Sequence, residues 1–281
     1  MRVLILASGS SGNATLFESK GTRVLVDAGI GPRTLAQRLR EAGAGGMPHA
    51  VVVTHGHGDH LGSYCKIGAK LGIPVYMTES TARFASPPGG VSLHYFSPRQ
   101  PFAIGGLTLS PLPLPHDAAQ VALVVADGER SAAIATDLGE VPPGLPGHVA
   151  GCDVLLIESN HDVEMLERGP YPGFLKRRVL SARGHLSNAQ AHGLLRALGP
   201  RAHTVVLMHL SKTNNRPDLA LESARDALAG RRVRLAVAPP SGPVLFDAAL
   251  PPPDRALPGR PEPAGAPRRK SDPLPGQLPL F

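Results

Sequence analysis

The stretch Thr54-His55-Gly56-His57-Gly58-Asp59-His60 packs three imidazoles and a carboxylate into one short segment. Imidazole and carboxylate together suit Zn, Mn or Fe. The interleaved glycines loosen the turn, so that neighbouring side chains can point at one spot. The segment directly follows Ala50–Val53, an apolar run that reads as a strand. A polar loop with coincidental histidines is the bland alternative, but donors of two types at alternating spacing on a strand end are rare by chance.

A metal centre needs further donors from distant positions. His116 in Leu114–Ala118, Asp137 in Ile134–Gly139 and His209 in Val206–Ser211 each follow an apolar strand-like run or sit at its end. Singly, each reads as structural. Together they supply a third imidazole for one ion, a carboxylate to bridge two ions, and a last imidazole for the second.

Elements able to position these groups are visible as short Val-, Leu- and Ile-rich runs. These are Val3–Leu6, Arg23–Asp27, Ala50–Val53, Val121–Ala126, Ala132–Thr136, Val154–Ile157, Thr204–Met208 and Arg234–Val237, bounded by Gly, Pro, Asn and Asp. Helical spacing marks Thr34–Ala42, a segment capped by Ser187 and running through Leu198, and Arg216–Ala229. Strands in hairpin-like series with interspersed helices predict sheets covered by helices. After Leu250 proline recurs every few residues and aliphatics thin out. The reading is a folded domain over 1–249 and a disordered Pro-rich tail over 250–281.

Composition excludes several classes. No run approaches the roughly 18 apolar residues of a membrane span, and the short apolar N-terminus runs into Gly9-Ser10-Ser11-Gly12 rather than a cleavage site. Cys65 and Cys152 are too few for a disulfide framework. The expectation is a cytoplasmic chain with no membrane contact. A net charge of +7 permits an anionic partner.

The HxHxDH motif, followed in order by His, Asp and His at strand ends, resembles the metallo-β-lactamase superfamily. That resemblance implies an α/β (α+β) fold, an αββα sandwich with a dinuclear metal site at the sheet edge. It places His55, His57 and His116 on a first divalent ion and Asp59, His60 and His209 on a second, with Asp137 bridging. Two divalent cations, Zn or Mn, are the implied cofactors. Asp27 in Val24–Gly29 matches a position that supports the histidines from behind, although a plain turn residue fits it equally well.

Ala7–Asn13, Val26–Gly29, Ala135–Gly139, Glu158–Leu166, Gly184–Asn188 and His209–Asn215 further resemble the YycJ/WalJ-like branch. Its members are regarded as DNA exonucleases acting from 5′ ends. Gly56 and Gly58 stand where bulkier residues are expected between the ligands. The branch makes DNA the implied substrate and His185 the candidate proton donor to the leaving oxygen, beside Asp59 as the other catalytic residue. Lys176, Arg177, Arg178 and Arg183, with Ser187 and Asn188, become candidate substrate contacts. Ser11 and Asn13 lie in a Gly-rich loop that could face a phosphate, and Asn160 and His161 could line the cleft. A hydrolase of thioesters or lactones is the alternative on the same metals, though it leaves the basic run unexplained.

The chain ends Gln277-Leu278-Pro279-Leu280-Phe281. This resembles the peptide that bacterial replication and repair proteins insert into the polymerase sliding clamp, with Gln277, Leu278, Leu280 and Phe281 as contacts. It implies a nuclease tethered at replicating DNA, in replication-linked repair.

Overall fold

The computed structural model describes residues 1–87, 89–240, 242–251 and 253–258. Its first half runs β1 (Arg2–Ala7), β2 (Ala14–Ser19), β3 (Thr22–Val26), α1 (Pro32–Glu41), β4 (Ala50–Val52), α2 (Gly58–Leu61), α3 (Tyr64–Leu71), β5 (Val75–Met77), α4 (Glu79–Ala85) and β6 (Leu93–Tyr95). The second half continues with β7 (Phe102–Ile104), β8 (Leu107–Leu114), β9 (Gln120–Ala126), β10 (Ser131–Ala135), α5 (Leu145–Val149), β11 (Val154–Glu158), α6 (Val163–Arg168), α7 (Gly173–Leu180), α8 (Asn188–Arg196), β12 (Thr204–Met208), α9 (Pro217–Ala227) and β13 (Arg234–Val237). A last strand, β14 (Val244–Asp247), returns to the edge of the first sheet. The sheet orders are β14-β1-β2-β3-β4-β5-β6 and β13-β12-β11-β10-β9-β8-β7.

Every run read as a strand is one. The central strands are apolar on both faces because both faces are covered. Along β1, Val3 and Ile5 point into the core between the sheets while Leu4 and Leu6 point outward. Along β11, Val154 and Leu156 face inward, and Leu155 and Ile157 pack toward the outer helices. One core therefore lies between the sheets and one on each outer face, which is the expected αββα order of layers.

The strand β8 escaped the sequence reading because it contains Pro111 and Pro113. Its partner β7 stops opposite Leu109, so beyond that point one side of β8 is open and a missing N–H costs no ladder bond. Past Ala249, where composition placed the end of the domain, the chain still lies on the fold. Leu257 packs against the outer core, accepts from the Gly230 N–H at 3.0 Å and donates to the Arg231 carbonyl at 2.8 Å.

Three loops of the first sheet meet at one end, and glycine permits the closest approach. Asn13 donates its backbone N–H to the Asp59 carbonyl (2.7 Å), and Gly29 donates to the Asn13 carbonyl (2.9 Å). A β-carbon on Gly29 would lie 1.8 Å from the Asp59 carbonyl oxygen and 2.5 Å from the Asn13 nitrogen. Both obstacles are backbone, so no side chain can swing away. Gly29→Ala should destabilise the fold by about 1–3 kcal/mol, read as a lower midpoint in thermal unfolding; an unchanged midpoint would contradict this packing.

Candidate metal centre

The carboxyl ends of six strands deliver the chemistry. Asp27 follows β3, the histidine-rich turn follows β4, and His116 follows β8, while Asp137 follows β10, Glu158 ends β11 and His209 follows β12. Strand register does the alignment: Glu158 pairs with Met208, and Ala135 pairs with Ile157. Asp27, Asp137 and His209 each adopt a left-handed backbone (φ 62°, 59° and 55°). This conformation costs a non-glycine residue on the order of 1–3 kcal/mol, and it turns the chain sharply so that the side chain folds over the strand end. Surrounding bonds hold it. His209 donates its N–H to Ser8 Oγ (2.8 Å) and accepts at its carbonyl from Asn160 Nδ2 (2.8 Å).

His55, His57 and His116 bring one ligand atom each within 4.8 Å of one another, with His57 Nδ1 and His116 Nε2 3.3 Å apart. Asp59, His60 and His209 form a second such group. Asp137 is shared: it groups with His55 from the first set and His60 from the second. The rings are oriented from behind. Asp27 contacts His60 Nδ1 at 2.8 Å while accepting from Thr54 N (2.8 Å) and Thr54 Oγ1 (3.0 Å). His116 Nδ1 faces the Gly184 carbonyl at 3.0 Å. Asn13 also reaches in, placing Nδ2 2.9 Å from His60 Nε2 and 3.2 Å from Asp59 Oδ2.

Whether these residues suit a cation can be judged from their own bonding. His55 Nε2, Asp137 Oδ2 and His209 Nε2 are buried without a hydrogen-bond partner; His60 Nε2 is 3.1 Å from Asp137 Oδ2 but not aligned to bond it. Unsatisfied buried polar atoms are rare and call for an explanation; of the eight among the described residues, these three belong to the clusters. Burial opposes charge on His60 and His209, yet neighbouring carboxylates prevail. Asp137 and Asp27 raise His60 well above the usual imidazole range, and Asp137, Asp59 and Glu158 push His209 up to about 10. Burial and the adjacent His60 hold His55 well below that range, the neutral form that can ligate. The field is negative and the donors are nitrogen and oxygen, so divalent metal fits.

Glu158 is the principal residue that sequence reasoning missed. Its carboxylate is fully buried and fully used. Oε1 meets the Nδ1 atoms of both His185 and His209 at 2.9 Å, and Oε2 accepts from the N–H groups of Leu138 (3.2 Å) and Leu186 (3.0 Å). Although it clusters with Asp137, His185 and His209, no lone pair is left over for a metal, so it positions the two rings. An acidic residue ending a wholly apolar strand is the same signal that marked Asp137.

Exposure defines a mouth. The side chains of His55, His60 and His116 are 0% exposed, whereas His57, Asp117, Asp59 and His185 are 28, 33, 21 and 19% exposed. Asp117, also missed, contacts His57 Nε2 (3.1 Å) and receives Arg178 in a paired contact (2.6 and 2.8 Å). Arg178 is thus brought to the rim, and Lys212 approaches the opposite loop through Ser11 Oγ (3.1 Å).

Other expected contacts fall elsewhere. Ser187 caps α8, its hydroxyl paired with Gln190 in a capping box. The Asn188 amide is engaged inside the fold by Ser159 (2.7 Å) and Asn215 (2.9 and 3.0 Å). Neither leaves a free edge for substrate. Lys176 turns to the Glu167 carbonyl (2.6 Å), and Arg177 and Arg183 are exposed without contact to the clusters. His161 is buried with both ring nitrogens unpartnered, and burial lowers its pKa to about 4. Gln277, Leu278, Leu280 and Phe281 lie outside the described residues.

Glu158→Gln removes the negative charge and, whichever way the amide is turned, sets its NH2 against either the two imidazole N–H groups or the Leu138 and Leu186 N–H groups. Metal affinity should fall about 10–100-fold, measured by competition with a chromophoric chelator. Unchanged affinity would mean that Glu158 does not orient His209.

The Beta-lactamase superfamily domain matches residues 22–210. The chain is 35% identical over 228 residues to the exodeoxyribonuclease WalJ of Streptococcus pneumoniae, covering 77% of this chain and 84% of that protein. It is 31% identical over 231 residues to the exodeoxyribonuclease YycJ of Bacillus anthracis, covering 80% and 88%. Among solved structures, the metallo-β-lactamase fold protein YhfI of Bacillus subtilis superposes with a TM-score of 0.67 at 18% identity, over 88% of this chain and 99% of that one, a likeness of fold alone. With its HxHxDH turn and the matching donors at the strand ends, the chain belongs to the metallo-β-lactamase superfamily, and within it its relatives are the WalJ and YycJ proteins.

Proposed function

We propose that the chain is a metal-dependent phosphodiesterase that degrades DNA from 5′ ends. The observation that carries this reading is the 35% identity to a protein named as an exodeoxyribonuclease, spread over 84% of that protein's length. The basic groups Arg178, held by Asp117 beside His57, and Lys212, held by the Ser11 loop, support it. Two Zn or Mn ions, held by His55, His57 and His116 and by Asp59, His60 and His209 with Asp137 between, would lower the pKa of a water and neutralise charge on the phosphate oxygens.

The chain's own residues do the rest. Arg178 and Lys212 draw backbone phosphates to the mouth. Asp117 holds both His57 and Arg178, so the ligand and the phosphate contact move as one unit. His185 fastens Nδ1 to Glu158 (2.9 Å), which leaves Nε2 of its partly exposed ring as the atom that would give a proton to the departing 3′ oxygen. No serine or cysteine nucleophile is required.

Digestion of linear duplex DNA labelled at either end, with added Mn or Zn, tests the proposal. Loss should proceed from 5′ ends, and Asp59→Ala should abolish most of it. Normal cleavage by a folded Asp59→Ala protein would rule out the dinuclear mechanism. No cleavage with any metal, but turnover of thioesters or lactones, would transfer the site to carbonyl chemistry.

The C-terminal Gln277–Phe281 peptide supports recruitment by a polymerase sliding clamp, hence a cytoplasmic role in replication-linked repair. Deleting those five residues should abolish clamp binding in a pull-down with the purified clamp. Undiminished binding after the deletion would sink the tether.

A further inference from the structure

Helix α7 contains no carboxylate, and its outer side carries an aromatic ring and two cations. Phe174, Arg177 and Arg178 stand at i, i+3 and i+4, which makes them neighbours on a helix surface, with Cβ atoms about 5–6 Å apart. All three are exposed, Phe174 by 68%, whereas Val179 takes the opposite side into the fold. The Arg177 side chain folds back along the helix, so that a β-carbon on Gly173 would lie 3.4 Å from its Nη1. Its charge therefore stands at the level of Phe174.

This stripe is fixed to the metal centre at its inner end. Arg178 is paired with Asp117 (2.6 and 2.8 Å), and Asp117 lies 3.1 Å from His57 Nε2 and 3.3 Å from His116 Nε2. The chain leaving α7 runs directly to His185, whose N–H donates to the Val179 carbonyl (3.0 Å). The intervening loop packs on the turn that follows Asp137: a β-carbon on Gly139 would fall 2.3 Å from the Ser181 carbonyl oxygen. Arg178 thus stands beside the first ligand set, and Phe174 lies one turn, about 5.4 Å, toward the other end of the helix.

Guanidinium groups on a helix without a carboxylate favour a polyanion. Phe174 requires a flat apolar surface as well, and nucleobases supply one, since every base has a π-face on which an aromatic ring can stack. Inside a duplex each face is covered by the next base pair, and only the terminal pair leaves one open. A ring set beside two phosphate-binding cations can therefore stack on a duplex only at its end.

We propose that Phe174 caps the terminal base pair of a DNA duplex while Arg177 contacts a neighbouring phosphate, so that α7 holds a DNA end at the metal centre. DNA as the occupant rests on the phosphodiesterase reading above. The inference adds to it the residue that tells an end from continuous duplex.

Fluorescence anisotropy on the full metal-loaded chain tests this with two phosphorothioate-linked duplexes of equal length, one blunt-ended and one closed at both ends by hairpin loops. Phe174→Ala should weaken binding of the blunt duplex about tenfold and leave the closed duplex unaffected. Phe174→Trp should restore the loss. Arg177→Ala should weaken both, because a phosphate contact does not depend on an end. Equal affinity of the wild-type and Phe174→Ala chains for the blunt duplex would overturn the cap, and is the result expected if Phe174 instead meets a protein partner. An equal loss on both duplexes would overturn it too. Binding is read without turnover, so the two proposals fail separately. End-selective binding lost in Phe174→Ala, in a chain that cuts no DNA, would keep the cap and remove the nuclease. DNA cleavage by a chain whose binding ignores Phe174 would do the reverse.

Discussion

Asp27, Asp59, Asp137 and Glu158 gather at the same end of two packed sheets, and none of them pairs with a lysine or arginine among the described residues. Taking a carboxylate out of water costs several kcal/mol unless an opposite charge lies beside it. Here the opposite charge comes from imidazolium or from a divalent cation, and the unpartnered atoms of His55, Asp137 and His209 are those a cation would join. The left-handed turns, the aligned strand ends and the fully engaged Glu158 all serve to hold this concentration of negative charge in one place.

Neither half of the chain can build the centre alone. The first sheet contributes Asp27 and the histidine-rich turn; the second contributes His116, Asp137, Glu158, His185 and His209. Each candidate set takes donors from both sheets, so the core between the sheets sets the spacing of the donors within each set. A cation bound across that junction favours the folded state over the unfolded one by mass action. A direct link crosses the junction where the His209 N–H donates to the Ser8 hydroxyl.

Much of this was legible in the sequence. The motif His55–His60 and the donors Asp137 and His209 stood out because polar residues ending apolar runs have nowhere to point but across a sheet edge. Glu158 carries the same signal, but nothing in the sequence distinguishes it from the polar residues Asn160 and His161 that follow it. Asp117 was not legible, because its role depends on Arg178 arriving from a helix far along the chain. Ser187 and Asn188 were misread as substrate contacts because proximity to His185 in sequence says nothing about which polar groups already have partners. The prolines of β8 hid a strand whose open side lies beyond the end of β7. Leu257 settled against the outer core from within a segment whose composition looked unable to pack.

The central claim is that two ligand sets sharing Asp137 hold two divalent cations. Counting bound metal after equilibrium dialysis of chelator-treated protein against Zn or Mn tests it most directly. The account predicts two ions per chain in the wild-type protein and one in His116→Ala, which keeps the set of Asp59, His60 and His209. A single ion in the wild-type protein, or none retained with either metal, would contradict it.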